Sequence, residues 1–413
     1  MARSGTQRSK SVLLIGASFK TSSIEFRERL AAALRGRVAL KHQLRGVEES
    51  VILQTCNRIE LYLVSGDAGG SEADFFSRLP ARLGTQRDCF YVLGYMEAVT
   101  HLFELASGLD SMVVGEDQIL SQIEDASTNA KLDGSSRAVL SQLFDVATGV
   151  GKHVRSSGAI PAKDRSVSSF ALKFALRKLG GKPKRVLLIG TGKVMKLAAR
   201  ELEDCEIYVA TRRRNVSPQF SGATVVPHRE ISRTARRCDL IISGTKHDGY
   251  VIRKEQLQDD LPRVILDLAF PRNIDPRLKA HRYTKLYDLD DLAAEARRVS
   301  RLEPRHAIRV KTLIEEEADR FDRSLTAARF TPTLPNLYRW AEDVRDSETD
   351  SALRRLADLS PREKRVVEAM GRRLVSKLLA PAAKFAKDTS EKLPQDERLR
   401  ILNDIYANGE DGA

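Results

Sequence analysis

KRVLLIGTGKVMKLAARELEDCEIYVATRRR, residues 184–214, decides the fold. An apolar run, RVLLI, meets a turn holding Gly190 and Gly192. An amphipathic helix follows, and then a second apolar run, EIYVA, that ends in a basic cluster. Strand, turn, helix and strand at this spacing describe one parallel crossover. CDLIISGT (238–245) and RVILDLAF (263–270) add two more buried strands that each run into a polar turn. Together they predict a parallel, doubly wound, Rossmann-like sheet.

The turn itself carries chemistry. Gly190, Thr191, Gly192, Lys193, Val194 and Met195 supply two of the three glycines of GxGxxG. One serves the tight turn, and one lets the backbone approach a pyrophosphate at the helix N-terminus. Met195 stands where the third glycine would ease helix-to-strand packing. About twenty residues on, where an NAD site carries an acid for the ribose, the chain has Thr211 and then Arg212, Arg213 and Arg214. Arginine there suits a 2′-phosphate, so NADPH is the expected cofactor.

Upstream, strand (SVLLIGAS), helix (SIEFRERLAAAL, with Ser22 or Ser23 as N-cap), strand (VILQT) and strand (IELYLV) make a smaller α/β or α+β domain. Residues 96–157 read as three amphipathic helices, with Ile119, Ile123, Ala126 and Ala130 on one face of the second. Downstream, Val310, Ile314, Ala318, Phe321 and Leu325 share a stripe along a helical pattern from Asp288 to about Arg329, which Pro304 should kink or divide. Val366, Met370, Leu374 and Leu378 mark a second stripe in a helical tail. Such a tail buries its stripe best against a second copy, which predicts a homodimer.

The chain has 413 residues, with 69 Lys and Arg against 56 Asp and Glu, a formal charge of +13 that draws polyanions. No uncharged apolar run approaches a membrane span, so no membrane partner is expected. The basic first ten residues and the short run behind them do not form a secretory leader, and the chain reads as cytoplasmic. Cys56, Cys89, Cys205 and Cys238 are too dispersed for a disulfide framework or a zinc cluster, so no metal is expected. In LQTCNRIELYLV (53–64), Cys56 lies two residues from Arg58. A thiolate is the reactive form and a nearby guanidinium favours it, although a buried structural thiol fits the same twelve residues.

TCNRIELYL (55–63), HLFELASGLDSMVVGEDQILSQI (101–123), GKHVR (151–155), SVSS (166–169), VLLIGTGK (186–193) and DLAFPRNIDP (267–276) occur in the order found in glutamyl-tRNA reductases. The chain resembles that family from about Leu14 through the helical tail. The resemblance implies a catalytic domain over 1–160 and an NADPH domain over 161–290. A spinal helix over 291–330 and an all-α dimerisation domain over 331–413 complete the α/β multidomain chain. It also implies reduction of glutamyl-tRNA(Glu) to glutamate-1-semialdehyde, the first step of the C5 route to tetrapyrroles. Cys56 would take the glutamyl group as a thioester, and a glutamate-1-semialdehyde aminomutase is a natural recipient of the labile aldehyde.

By the same resemblance, Thr55, Asn57 and Arg58 hold the substrate, with Arg58 forking onto its side-chain carboxylate. Ser111, Glu116, Asp117, Gln118 and Gln122 line the glutamate pocket, Glu116 accepting the ammonium, and His101 serves the ester carbonyl or a proton. Read alone, His101 is a partly buried structural histidine, Glu116 a helix starter, and Gln118 with Gln122 a surface pair. Asp267 and Arg272 shape a loop beside the nicotinamide. The chain departs from the family in GASFKTSS (16–23), where G-x-x-H-K-T-A-P is usual, so that Phe19 replaces the histidine and Ser23 the proline. A non-catalytic paralogue that binds tRNA or a partner is the alternative. A shikimate-type dehydrogenase would explain the nucleotide fold and leave TCNR idle.

Overall fold

The computed structural model describes residues 11–35, 44–116, 118–160, 167–212, 218–247, 249–257, 261–299, 303–330, 333–355 and 359–388. It forms two compact units, residues 1–315 and 316–413.

The first unit opens with β1 (Ser11–Ser18), α1 (Ile24–Leu34), β2 (Val47–Gln54), β3 (Arg58–Ser65), α2 (Ala68–Arg78), α3 (Ala81–Gly84) and β4 (Tyr91–Leu93). The three helices read from residues 96–157 follow as α4 (Tyr95–Ser107), α5 (Gln118–Leu132) and α6 (Ala138–Ser156). The sheet is antiparallel, in the order β2-β3-β1-β4. Of the two arrangements the sequence left open, this is the α+β one. Of the two candidate caps for α1, Ser23 is used: its hydroxyl accepts from Phe26 N–H, so the residue that replaces the family's proline starts the helix instead.

β3 lies inside this sheet and is buried at every position. Its period of two separates the faces: Ile59, Leu61 and Leu63 join an apolar core with Phe26, Leu30, Phe75 and Phe76. Arg58, Glu60 and Tyr62 point the other way, which brings two charges into the interior.

The second layer of the first unit contains α7 (Val167–Leu179), β5 (Arg185–Ile189), α8 (Lys193–Glu201), β6 (Glu206–Ala210), β7 (Thr224–Val226), α9 (Ile231–Ala235), β8 (Leu240–Ser243), β9 (Arg263–Asp267) and β10 (Thr284–Tyr287). All six strands are parallel, in the order β10-β9-β8-β5-β6-β7. The order reverses between β5 and β8, which opens a crevice at their carboxyl ends. Met195 is buried, and its Cε sits 2.9 Å from where a Cβ on Gly244 would be. The bare backbone of Gly244 thus makes the room that the missing third glycine of the motif would have supplied.

The two layers are tied by ion pairs. Arg272 grips Glu28 with Nε and Nη2 at 2.6–3.1 Å. Asp290, from α10 (Leu289–Val299), accepts from Arg27 and from the amide of Ile24, both at 2.6 Å. Phe19 is buried in the apolar cluster of the parallel sheet beside Met112, with the Arg297 guanidinium 5.6 Å from its ring centre. A hydrophobic contact thus occupies the position where the family's histidine stands.

Pro304 divides the long helical pattern as expected. α10 ends at Val299 and α11 (Pro304–Phe330) begins on the proline, where its lack of an N–H costs nothing. The predicted stripe from Val310 to Leu325 is buried, and the boundary between units falls within α11. The second unit continues with α12 (Thr333–Arg355) and α13 (Pro361–Asp388). On α13, Val366, Met370, Leu374 and Leu378 are all more than half exposed. No helix of the described residues is long and apolar enough to cross a membrane.

Candidate functional site

Thr55, Cys56 and Asn57 form the tip of the β2–β3 hairpin. Thr55 N–H donates to the Arg58 carbonyl at 2.9 Å, and the Thr55 hydroxyl accepts from the amides of Asn57 and Arg58 at 3.1 Å each. From the β1–α1 connection, Phe19 N–H binds the Asn57 carbonyl at 2.9 Å. A tip held from three sides presents one side chain in a fixed place, and that side chain is the half-buried Cys56.

Behind the tip lies a closed polar network centred on Glu60, which is fully buried. Its carboxylate accepts from Arg58 Nη1 at 2.9 Å, Tyr91 Oη at 2.5 Å, Tyr62 Oη at 2.8 Å and His101 Nε2 at 2.8 Å. The Tyr91 ring crosses Gly16, where a Cβ would lie 2.5 Å from it; only glycine lets the phenol through. Burial opposes the charge on Glu60, but His101 and Arg58, with the bonds from His101 and Tyr91, outweigh it. The carboxyl is held well below the usual carboxylate range.

Arg58 is spent within the protein. It also donates to the Asp110 carboxylate at 2.7 Å and to the Asp110 carbonyl, and Lys20 pairs with the same carboxylate. Arg58 does act to favour a thiolate at Cys56, as expected, but it is outweighed. Burial pushes the thiol up to about 12, and Glu116 adds to the rise. The loop's own amide, Arg27 and Arg58 oppose this only in part. A guanidinium already paired with two carboxylates projects little net field onto its neighbour.

The Arg58–Asp110 bonds join the hairpin tip to the segment that follows α4. Gly115 N–H closes that segment on the Gly108 carbonyl at 2.9 Å, and Arg155 holds the Glu116 carbonyl at 2.8 Å. On either side of the junction stand two buried polar atoms without a hydrogen-bond partner, Asn57 Oδ1 and Ser111 Oγ. Orphaned acceptors and hydroxyls in a protein interior are costly, and here both belong to residues the sequence had picked out.

The other predicted residues divide into two groups. Gln118 and Gln122 line a cleft of about 390 Å³ together with Ser121, Gly192–Met195, Gly244 and Leu268, so both face the nucleotide loop. Gly190, Thr191 and Gly192 line a second cleft of about 410 Å³ with Thr211 and Arg212. Gly190 has φ +113°, and a Cβ there would meet the Gly244 carbonyl at 2.9 Å, so glycine is required. A cleft with a bare glycine turn, a helix N-terminus and Arg212 has the donors that the phosphates of a dinucleotide need. Asp117, Arg213 and Arg214 lie outside the described residues, as does Ser166 of SVSS.

Sequence reasoning passed over Glu60, Tyr91, Asp110 and Lys20. One signal was available: RIELYL (58–63) alternates charged or phenolic with apolar residues in a segment that reads as a strand.

Three family models match the chain in succession. Residues 15–158 fit the glutamyl-tRNA(Glu) reductase N-terminal domain, 173–295 shikimate/quinate 5-dehydrogenase, and 309–408 the glutamyl-tRNA(Glu) reductase dimerisation domain. Glutamyl-tRNA reductase of Syntrophotalea carbinolica is 33% identical over 95% of this chain and 94% of its own length. That of Rubrobacter xylanophilus is 33% identical over 89% and 90%. The solved glutamyl-tRNA reductase of Methanopyrus kandleri superimposes with a TM-score of 0.52 at 26% identity, covering 97% of this chain and 99% of that one.

Proposed function

Because the chain belongs to the glutamyl-tRNA reductase family, we propose that it reduces glutamyl-tRNA(Glu) to glutamate-1-semialdehyde through a thioester on Cys56, with NADPH as reductant. The observation that carries the reading is the pair of orphaned atoms, Asn57 Oδ1 next in the chain to a rigidly presented thiol and Ser111 Oγ next to the Asp110 that Arg58 binds. They suit the amino-acid end of the substrate. The two clefts share Gly192 and Gly244, which lets one elongated cofactor run from Arg212 to Gln118 and Gln122.

In the first step Cys56 Sγ attacks the ester carbonyl carbon, the bond to the ribose oxygen breaks, and tRNA leaves with that oxygen protonated. Cys56 is protonated at rest, partly because Glu116 is near. A substrate ammonium paired with Glu116 removes that part of the rise as the acyl group arrives, leaving burial as what holds the proton on. Glu60 fixes His101 through Nε2, which donates because an ionised carboxylate only accepts, and so sets the ring's orientation. Arg58 positions the 108–116 segment through Asp110 and meets a substrate carboxylate only if Asp110 yields. A bound dinucleotide supplies the hydride that turns the thioester into the aldehyde and releases the thiol.

The exposed stripe on α13 and the match to a dimerisation domain support a homodimer. We place the enzyme in the cytoplasm, where its four free cysteines stay reduced, and assign the aldehyde's capture to an aminomutase. The presence of Cys56, Arg58 and Ser111 together speaks against a non-catalytic paralogue. The test is product formation: glutamyl-tRNA with NADPH yields semialdehyde, and NADH supports it far less well. Intact, bound glutamyl-tRNA without product under either cofactor defeats the proposal.

A further inference from the structure

The cleft beyond Gly190 carries more cationic character than Arg212 alone supplies. His228, just after β7, and Lys246 with His247, after β8, complete its walls. The two imidazole centres are 5.3 Å apart with planes at 33°. That is too close for a base to enter between them, so the rings present a single basic edge.

His228 faces His247 and Arg212, and no carboxylate lines the cleft among the described residues. Loss of solvent, and then His247 and Arg212, hold His228 below its ordinary value; it gains a proton readily only beside an anion. The His247 segment is anchored from below. Asn273 Nδ2 donates to the His247 carbonyl at 3.3 Å, and Asn273 Oδ1 accepts from Thr245 N–H at 3.2 Å. Asn273 N–H is in turn held by the buried Asp267 at 2.8 Å. The DLAFPRNIDP segment thereby sets the height of an imidazole over the cleft.

We propose that His228 and His247, with Arg212 and Lys246, form a proton-linked clamp for the 2′-phosphate of the dinucleotide, so that preference for the phosphorylated cofactor grows as pH falls toward neutrality. The clamp deepens the NADPH reading and rests on it. The sign is diagnostic. A phosphate loses charge on acidification, with a second pKa of about 6, and alone would bind less tightly. Arginine and lysine do not titrate near neutrality. Tightening on acidification between about pH 8.5 and 6.5 therefore comes from imidazole taking up a proton as the anion binds.

The experiment is calorimetry of the full-length protein with 2′,5′-ADP and with 5′-AMP at about pH 6.5, 7.5 and 8.5. Each titration is run in two buffers of different ionisation enthalpy, on the wild type and on the His228→Gln/His247→Asn double variant. Both histidines are at the surface or half-buried, and circular dichroism verifies that the variant is folded. The expected result is 2′,5′-ADP binding that tightens about tenfold from the highest to the lowest pH, with proton uptake. The 5′-AMP binding changes much less, and the double variant keeps a smaller preference that no longer tightens on acidification. A preference that is independent of pH in the wild type overturns the clamp and leaves the 2′-phosphate reading standing. So does an equal loss of both nucleotides in the variant, which makes the imidazoles a wall for adenine. No preference for 2′,5′-ADP at any pH overturns both.

Discussion

The Glu60 network and the Arg212 cleft are both assembled from charged side chains, yet they are opposites. In the network every charge is enclosed and answered: Glu60 has four donors, and Arg58 has two carboxylates. In the cleft the charges share one sign and line an opening. A closed, neutralised network holds shape. An open, single-signed cleft stores affinity for an anion. The thiol lies at the edge of the first kind of region, which explains its fixed position, while burial and Glu116 keep it protonated at rest.

The contrast can be broken most sharply at the sulfur. Cys56→Ser should lower semialdehyde formation by about three orders of magnitude or more in a steady-state assay, with an unchanged urea midpoint. Activity near wild type moves the chemistry elsewhere.

Next in size is the network. Glu60→Gln leaves Arg58 and His101 short of a charge in a dry interior and should cost about 3–5 kcal/mol by urea denaturation. Arg212→Ala should change stability by less than about 0.5 kcal/mol. Equal effects at the two sites erase the distinction.

Acid sharpens the same point. The Glu60 carboxyl is held low in the folded protein, so its stabilisation is present above its unfolded value of about 4.3 and is lost as pH falls below that toward the folded value. The wild-type urea midpoint should therefore drop below about pH 4 more steeply than that of Glu60→Gln.

Smallest in stability is Ser111→Ala. Removing an unpartnered hydroxyl should leave the midpoint unchanged or slightly raised. Its kcat/KM for glutamyl-tRNA should fall about tenfold, roughly 1.4 kcal/mol. A destabilised variant means that Ser111 Oγ has a structural partner after all.

The same contrast separates what was legible in the sequence from what was not. Gly190, Gly192 and the strands around them were readable because a turn and a crossover impose local backbone requirements. The helices from Tyr95 to Ser156, the division at Pro304 and the two apolar stripes follow from periodicity and proline chemistry in the same way. Glu60 was not legible as a hub, since two of its four donors, Tyr91 and His101, come from β4 and α4 and only the fold brings them together. The alternation in RIELYL hinted at an inward charge but not at what answers it. Arg58 misled in part: it lies two residues from both Cys56 and Glu60, and its charge is taken by Glu60 and by Asp110, which only the fold brings near. Phe19 read as a loss, whereas the fold gives it an apolar place between the two sheets. His228 and His247 stand nineteen positions apart and meet only because β7 and β8 end on the same side of the sheet.

The most direct test is mass spectrometry of the Cys56 peptide after the protein is mixed with glutamyl-tRNA and acid-quenched, with and without NADPH. A glutamyl adduct on Cys56 should accumulate without the cofactor and disappear as semialdehyde forms when it is added. Semialdehyde production with no adduct on that peptide at any quench time contradicts a thioester at this position.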